Sequence, residues 1–316
     1  MNAISKATNY LRSHQLPNGE FSAYMSGDDD MKEWVQPMDM VFPTALICNS
    51  LLFCKDDPMV KEMFAKSKVF LRYQVGRGAT WNHFTHFHPL RKVCPQDVDD
   101  TVCVSEFLAT QDDDFSKEVN RQLICDNRAA NGLFYTWFAF RFKPNRNLTY
   151  WRLALREFKY PLQSIAFWQH EASHNDIDAV VNANVLYYLG DVKETQPVIR
   201  YLLKIIAENK EADCDMWYRN PLSVYYFFSR NYYKGIGKLE PMRQPVIDRI
   251  TAQTAFASPL DAALAACTLL NFSYKGPALD KAIEFLIDTQ HQYGHWPRRI
   301  LYYGGPKKLA GYGSEE

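Results

Sequence analysis

Pro95 and Gln96 are followed by Asp97-Val98-Asp99-Asp100-Thr101, three carboxylates within four positions with apolar rather than basic neighbours. Like charges this close cannot all ionise comfortably, so at least one proton is expected to stay bound at neutral pH. A carboxyl held protonated and away from water can give its proton to something as weakly basic as an alkene. His83, His86 and His88 stand just before the cluster, and His170 and His174 before the next apolar run; any of them could hydrogen-bond the acid or take up a proton later.

A repeat accompanies the cluster. Lys6-Ala7-x-x-Tyr10-Leu11-x-x-x-Gln15-x-x-x-Gly19-x-Phe21 recurs as Lys281-Ala282-x-x-Phe285-Leu286-x-x-x-Gln290-x-x-x-Gly294-x-Trp296. Weaker copies are Phe70-Leu71-x-x-Gln74 with Gly78 and Trp81, and Asn131-Gly132-x-Phe134 after the run from Asp114 to Arg128. Each unit reads as a helix with its aromatic and leucine turned inward. A glutamine stands at the helix end, and a glycine turn then swings an aromatic back over the helix.

The acid cluster and the repeat together resemble the acid motif and the QW repeat of class II terpene cyclases, the squalene-hopene and diterpene cyclase superfamily. The resemblance implies protonation of a terminal alkene or epoxide, trapping of the cation by successive internal double bonds, and a final deprotonation. It also implies that the middle aspartate, Asp99, is the proton donor, with Asp97 and Asp100 keeping it protonated and oriented. A second helical domain such as the larger members carry is not expected, and on length the chain is most like the single-domain members that act on prenylated aromatic compounds in meroterpenoid pathways. A prenylated hydroxybenzoate is the substrate this implies, with a free polyprene or a prenyl diphosphate as alternatives. No cofactor is expected, and Mg2+ only with a diphosphate.

The elements that must position the cluster follow from helix starts. Asp97-Val98-Asp99-Asp100 aligns with Asp176-Ile177-Asp178-Ala179 and with Asp261 of Ser258-Pro259-Leu260-Asp261, each opening an apolar run. Phe42-Pro43-Thr44-Ala45 and Asn220-Pro221-Leu222-Ser223 open two more. At such a start the dipole and free amides favour an ionised carboxylate, so Asp97 also reads as a cap, and Asp178 and Asp261 as caps only. Amphipathic segments near 4–14, 57–73, 114–128, 193–208, 240–253 and 278–290 alternate with these runs. Apolar inner and polar outer helices in alternation predict an all-α fold, an α6/α6 double-ring toroid forming a single domain over 1–316. Gly313-Ser314-Glu315-Glu316 reads as the capped start of the sixth inner helix, so the chain is expected to continue further.

The longest gap between inner starts, from Asp97 to Asp176, holds an aromatic segment, Tyr135–Gln169, which reads either as packing on the outer ring or as a lid over the cavity. Candidate cavity walls able to stabilise a cation are Trp81, Trp137, Trp168, Trp217, Tyr225, Tyr226 and Phe227, with His88 and His174 as polar partners. Arg141, Lys143, Arg146, Arg152 and Arg156, or Arg298, Arg299, Lys307 and Lys308, could grip an anionic head group.

Composition restricts the rest. With 316 residues, 47% hydrophobic and 15% aromatic, the chain can bury a large core. Equal numbers of acidic and basic side chains, 36 each, give no electrostatic footprint for nucleic acid. Seven cysteines without metal-ligand spacing read as reduced packing residues. No signal core or apolar span is present, so a cytoplasmic protein is expected, with room for peripheral contact with a membrane and an oligomeric state left open. Two enzymatic rivals remain: a zinc site of the prenyltransferase β-subunit kind at Asp213-Cys214-Asp215 with His291 or His295, whose spacing is wrong, and a metal-dependent ionising synthase using Asp29-Asp30-Met31-Lys32-Glu33, which reads better as a loop. A non-catalytic toroid is the third alternative, and only the acid cluster argues against it.

Overall fold

The computed structural model describes residues 2–111, 115–304 and 309–315. Asp114, Lys307, Lys308 and Glu316, which carry parts of the expectations above, lie outside the described residues. Thirteen α-helices are found among the described residues: α1 (Ala3–His14), α2 (Phe42–Leu51), α3 (Pro58–Tyr73), α4 (Val98–Gln111), α5 (Glu118–Asp126), α6 (Leu148–Ala154), α7 (Pro161–His170), α8 (Ala179–Leu189), α9 (Gln196–Ala207), α10 (Pro221–Tyr233), α11 (Glu240–Thr251), α12 (Pro259–Asn271) and α13 (Pro277–Thr289). Most open with proline in the first turn, where its missing N–H would have no helical partner. Side-chain caps from Asp57, Asn147, Asn220 and Ser258 start α3, α6, α10 and α12.

The helices form two rings. The inner helices α2, α4, α8, α10 and α12 pack one on the next in that order. The outer ones are α1, α3, α5, α9, α11 and α13. Their sequences explain the division: α9 buries one stripe, Val198, Ile199, Leu202, Ile205 and Ile206, whereas α4 and α8 are buried on almost every face. The repeated glutamine and glycine stitch neighbouring outer helices together. Gln15 donates to Met63 O (3.0 Å) and Ser67 Oγ (2.9 Å) of α3, and Gln290 donates to Ala3 O (3.0 Å) of α1, which closes the outer ring. Gly19 and Gly294 have φ of +93° and +105°, and a Cβ on either would lie 2.2 Å from a backbone oxygen of that neighbour, Lys66 or Lys6. Only glycine fits there.

Two expectations are corrected here. The helical reading carried no strands, yet β1 (Ala23–Ser26), β2 (Gln36–Met38), β3 (Arg299–Gly304) and β4 (Ala310–Ser314) form an antiparallel sheet in the order β2-β1-β4-β3. Residues 313–315 therefore start no sixth inner helix: Gly313 pairs with Tyr24 and Ile300, and Glu315 pairs with Arg298. Tyr302-Tyr303 and Tyr312 on either side of Gly304-Gly305-Pro306 were a hairpin signal in the sequence. Between α12 and α2 lies an apolar space of about 330 Å³ bounded by Leu46, Ile47, Leu260 and Ala263 and by Tyr302 and Tyr312 of the sheet.

Candidate active site

The start of α4 is fixed from two sides. Asp97 N–H donates to Trp81 O (3.0 Å) and Val98 N–H to Thr136 O (2.9 Å), so loops from two successive repeats hold this turn. Asp97 Oδ1 accepts from the backbone N–H of Asp99 (2.5 Å) and of Asp100 (3.4 Å), and its carbonyl accepts from Thr101 Oγ1 (2.5 Å). Asp97 is thus the cap. With the free amides committed to it, the other two carboxylates are left to the interior.

Asp99 Oδ1 accepts from Asn184 Nδ2 of α8 at 2.7 Å. Asn184 is itself oriented by Arg230 of α10, whose Nη2 donates to Asn184 Oδ1 at 3.4 Å while its guanidinium lies 4.4 Å from the Tyr187 ring centre. Asp100 Oδ2 faces His83 Nδ1 at 3.5 Å, and Asp100 Oδ1 is buried without a hydrogen-bond partner among the described residues. Tyr302 Oη lies 3.5 Å from His83 Nε2, so a polar path runs from the acid cluster through His83 to the sheet.

Burial decides the protonation of Asp97 and Asp99. It is the main cause raising Asp99; the Asn184 hydrogen bond opposes it, Asp100 adds to it and Arg230 opposes it, leaving Asp99 at about 7. Burial, then Asp100 and Asp99, push Asp97 well above the ordinary carboxylate range against its two backbone donors. The helix terminus therefore does not ionise the whole cluster. A proton is held at neutral pH, and Asp99 is poised to lose it.

The three aspartates lie in the wall of a cavity of about 400 Å³ that is otherwise mostly apolar, with Glu171, His83, His88, Gln36 and Thr136 among its remaining polar lining. Trp137 and Trp217 meet edge to face at 5.7 Å, and Trp137 also meets Phe167 of α7 at 5.7 Å. Both indole N–H groups point out of the cavity, Trp137 Nε1 to Asp176 Oδ2 and Trp217 Nε1 to Asp178 Oδ2, each at 3.1 Å. Both rings are therefore pinned in the cavity wall with their donors occupied. The sheet completes the wall with Met25, Met38, Tyr302, Tyr303 and Tyr312. Such a chamber can fold a hydrocarbon chain, exclude water and present aromatic faces to positive charge.

Of the residues singled out in the sequence, Asp97, Asp99, Asp100, Trp137, Trp217 and His88 line this cavity. Trp81, Trp168, Tyr225 and His174 do not, and their assignment to its wall is corrected. Trp81 is fully buried beneath α3, donating to Leu71 O at 2.7 Å, as Trp296 donates to Leu286 O at 2.9 Å: the repeat's aromatic is a helix clasp. Trp168 stacks on His174 with ring centres 3.9 Å apart, and both hydrogen-bond Glu157 outside the cavity. Tyr225 turns to Glu211 (3.3 Å) on the outer-ring side, while Tyr226 and Phe227 flank Arg230. His86 is exposed beside Tyr73, and His170 ends α7. Asp178 makes no cap hydrogen bond to its own helix; Val180 N–H of α8 donates instead to Asp215 Oδ2 at 2.8 Å. Asp261 does belong to a cap, its N–H donating to Ser258 Oγ at 3.1 Å.

Among the basic candidates, Arg298 and Arg299 are paired with Glu315 and Asp30, and Arg141 donates to the carbonyls of Trp137 and His174. Asp213, Cys214, Asp215, His291 and His295 are not gathered into a ligand set; among the described residues no three such side chains are. Asp28 to Glu33 is a loop closed on the Asp28 carboxylate. Sequence reasoning missed the sheet tyrosines, Phe42, Phe84, Asn184 and Tyr218. The Tyr218 hydroxyl is buried without a hydrogen-bond partner among the described residues, at the cavity wall.

No family model matches the chain, and no curated protein does. Solved structures do. A protein from Actinoplanes superposes with a TM-score of 0.65 at 17% identity, covering 94% of this chain and 84% of that one. A variant of the type II terpene cyclase MstE from Scytonema, in complex with geranylgeranyl dihydroxybenzoate as substrate, gives 0.65 at 15% identity, covering 96% and 82%. Another MstE variant, with the product merosterolic acid A, gives 0.63 at 13%, covering 96% and 83%. The helical toroid is shared along almost the whole chain.

Proposed function

We propose that this protein is a class II terpene cyclase, converting a prenylated aromatic compound such as a geranylgeranyl hydroxybenzoate into a fused-ring meroterpenoid. The observation that carries this reading is Asp99: a buried carboxyl at about 7, hydrogen-bonded by one amide, facing an aromatic chamber large enough for a folded prenyl chain. The likeness to MstE, whose structures hold geranylgeranyl dihydroxybenzoate and merosterolic acid A, supports the choice of substrate class.

The steps balance as an isomerisation. The Asp99 proton adds to the terminal alkene, its π-pair forming the new C–H bond and leaving a tertiary cation. Each internal double bond then supplies the pair for one ring bond and passes the charge on. Loss of a proton from the last cation closes the sequence, and a proton returned to Asp99 restores the acid. Trp137 and Trp217 stabilise the travelling charge, each aromatic face contributing about 0.5 to 2 kcal/mol where water is excluded. The protein's residues carry out this chemistry without a cofactor, and Mg2+ is needed only for a diphosphate substrate. Within the domain spanning 1–316, the Tyr135–Gln169 segment covers the chamber, a role supported by Trp137 and Phe167, which face it. The test is product analysis after incubation with geranylgeranyl dihydroxybenzoate beside geranylgeranyl diphosphate. Cyclised product from the aromatic substrate supports the proposal; none from either substrate refutes it.

A further inference from the structure

The sheet divides the interior into two compartments. Tyr302 and Tyr312 line the chamber that holds the acid cluster and also the second apolar space, of about 330 Å³, between α2 and α12. They are directly opposite one another on β3 and β4, so their side chains leave the same face of the sheet, with ring centres 5.4 Å apart. Their neighbours hold them there. Tyr302 meets Phe42 of α2 at 5.6 Å and Tyr218 at 6.0 Å. A Cβ on Gly304 would lie 2.6 Å from the Tyr312 ring, and one on Gly311 2.3 Å from Ile300, so the strands close tightly around the pair. One layer of buried rings is thus the partition between two spaces that are both apolar.

The partition stands beside the acid cluster. His83 Nδ1 is 3.5 Å from Asp100 Oδ2 and its Nε2 is 3.5 Å from Tyr302 Oη, so one imidazole lies between Tyr302 and the carboxylates. In the proposed reaction Asp99 protonates the last double bond of a chain whose every unit carries an alkene of similar basicity. Position alone can select it, and an apolar tail would run on into an open apolar space. Resting on the cyclase reading, we infer that Tyr302 and Tyr312 are the end-stop of the chamber: they bar the tail from the second space and so set the terminal alkene at Asp99. Without the stop the tail slides past, and the Asp99 proton adds to an internal alkene, whose π-pair forms the new C–H bond. The next double bond toward the head group supplies the pair for the first ring bond, and a proton is lost from the last cation as before. The product is an isomer of the parent's, with fewer rings and its terminal isopropylidene group intact.

Tyr302→Ala opens the partition, and Tyr312→Leu is a milder second variant in case the first does not fold. With geranylgeranyl dihydroxybenzoate, either should yield isomers that keep the isopropylidene group, read by NMR. Ala263→Phe, which refills the second space from α12, should return the Tyr302→Ala pattern to the parent's and by itself leave the parent's pattern unaltered. Fewer-ring products whose terminal alkene has been consumed would mean lost cation stabilisation instead, and would overturn the inference, as would the parent's pattern in both opened variants. Calorimetry with dihydroxybenzoates carrying saturated tails of increasing length separates the stop from the chemistry. In the parent, affinity should rise about threefold to fourfold per buried methylene and cease to rise at a tail no longer than the prenyl chain; in the opened variants the rise should continue further. A parent that binds no tail refutes the reading of the chamber and this inference with it, whereas a parent whose affinity keeps rising, or variants with the parent's limit, refute the stop alone.

Discussion

Asp97-x-Asp99-Asp100 and Asp176-x-Asp178-Ala179 stand at the same place in successive repeats, before α4 and before α8, and have opposite surroundings. Asp178 accepts from Thr136 Oγ1 (2.6 Å), Met216 N (3.1 Å) and Trp217 Nε1 (3.1 Å), and Asp176 accepts from Ser173 N (2.8 Å) and Trp137 Nε1 (3.1 Å). Among the described residues Asp99 accepts one hydrogen bond, from Asn184. Both aspartates are buried. What separates the two sites is what their oxygens hold: those of Asp176 and Asp178 are committed to donors that fix neighbouring loops and rings, whereas Asp99 has one donor and a second carboxyl beside it, and burial raises it to about 7. The two sites are also linked, since the anchors hold the tryptophans that the proposed chemistry would use.

The strongest way to break this contrast is to remove each middle carboxyl in turn. Asp99→Asn should lower turnover by about a thousandfold or more, the range for a lost general acid, with the near-UV circular dichroism unchanged. Asp178→Asn should keep measurable turnover and lose about 1–3 kcal/mol of stability, because the amide nitrogen leaves at least one of the donors from Thr136, Met216 and Trp217 without its acceptor. Equal loss of activity in two folded variants would show that the contrast does not govern catalysis.

The pH dependence sharpens the same difference. Asp99, raised to about 7, donates only when protonated, so turnover should fall about tenfold per pH unit above the apparent value of the cluster. Stability has the matching sign: between the unfolded value near 3.8 and about 7 the folded state binds more protons, so stability decreases as pH rises through that window. Asp99→Asn should remove this contribution and be more stable than the parent at pH 8, with the gap closing toward pH 4. Denaturant titrations that show the same pH slope for both proteins would refute the assignment of the proton to Asp99.

A smaller effect is expected at the tryptophans. Trp137→Ala should shift products toward fewer rings and more hydration, because a cation in contact with water is quenched to an alcohol. A loss of about 3–5 kcal/mol for a buried tryptophan must be checked by thermal unfolding alongside. Trp168→Ala, outside the cavity, should leave the product pattern close to the parent's; equal shifts from both would return Trp168 to the wall. The smallest expected change is none: EDTA should leave turnover of the aromatic substrate unaltered, and restoration by Mg2+ after a loss would favour a diphosphate substrate.

The toroid and the acid cluster were legible because both are local signals: helix starts, periodicity and a run of carboxylates. Trp81 was misplaced although the repeat held the answer, since it occupies the register of Trp296, where the aromatic clasps its own helix. Tyr225 and Trp168 depended on which side of a helix faces inward, a matter of ring geometry that composition does not carry. Asn184 lies mid-helix on α8 and becomes a partner of Asp99 only through inter-helix packing. The sheet tyrosines could have been read from their hairpin, but not their place at the cavity, which depends on pairing with β1 far away in the sequence.

That pairing has a consequence in time. Tyr24 meets Gly313, so the wall carrying Tyr302 and Tyr312 is joined by a contact of very high sequence separation, the kind that closes late because chain entropy opposes it most. A chain in which it has not formed lacks the Tyr302 and Tyr312 wall of the chamber, and a carboxyl that water reaches is an ordinary one. A nascent or partly folded chain would thus hold every aspartate of the motif and still be no acid catalyst. On the proposed function, the chamber would switch on its own reagent when it shuts, and no reactive cation would be made before there is a room to keep it dry.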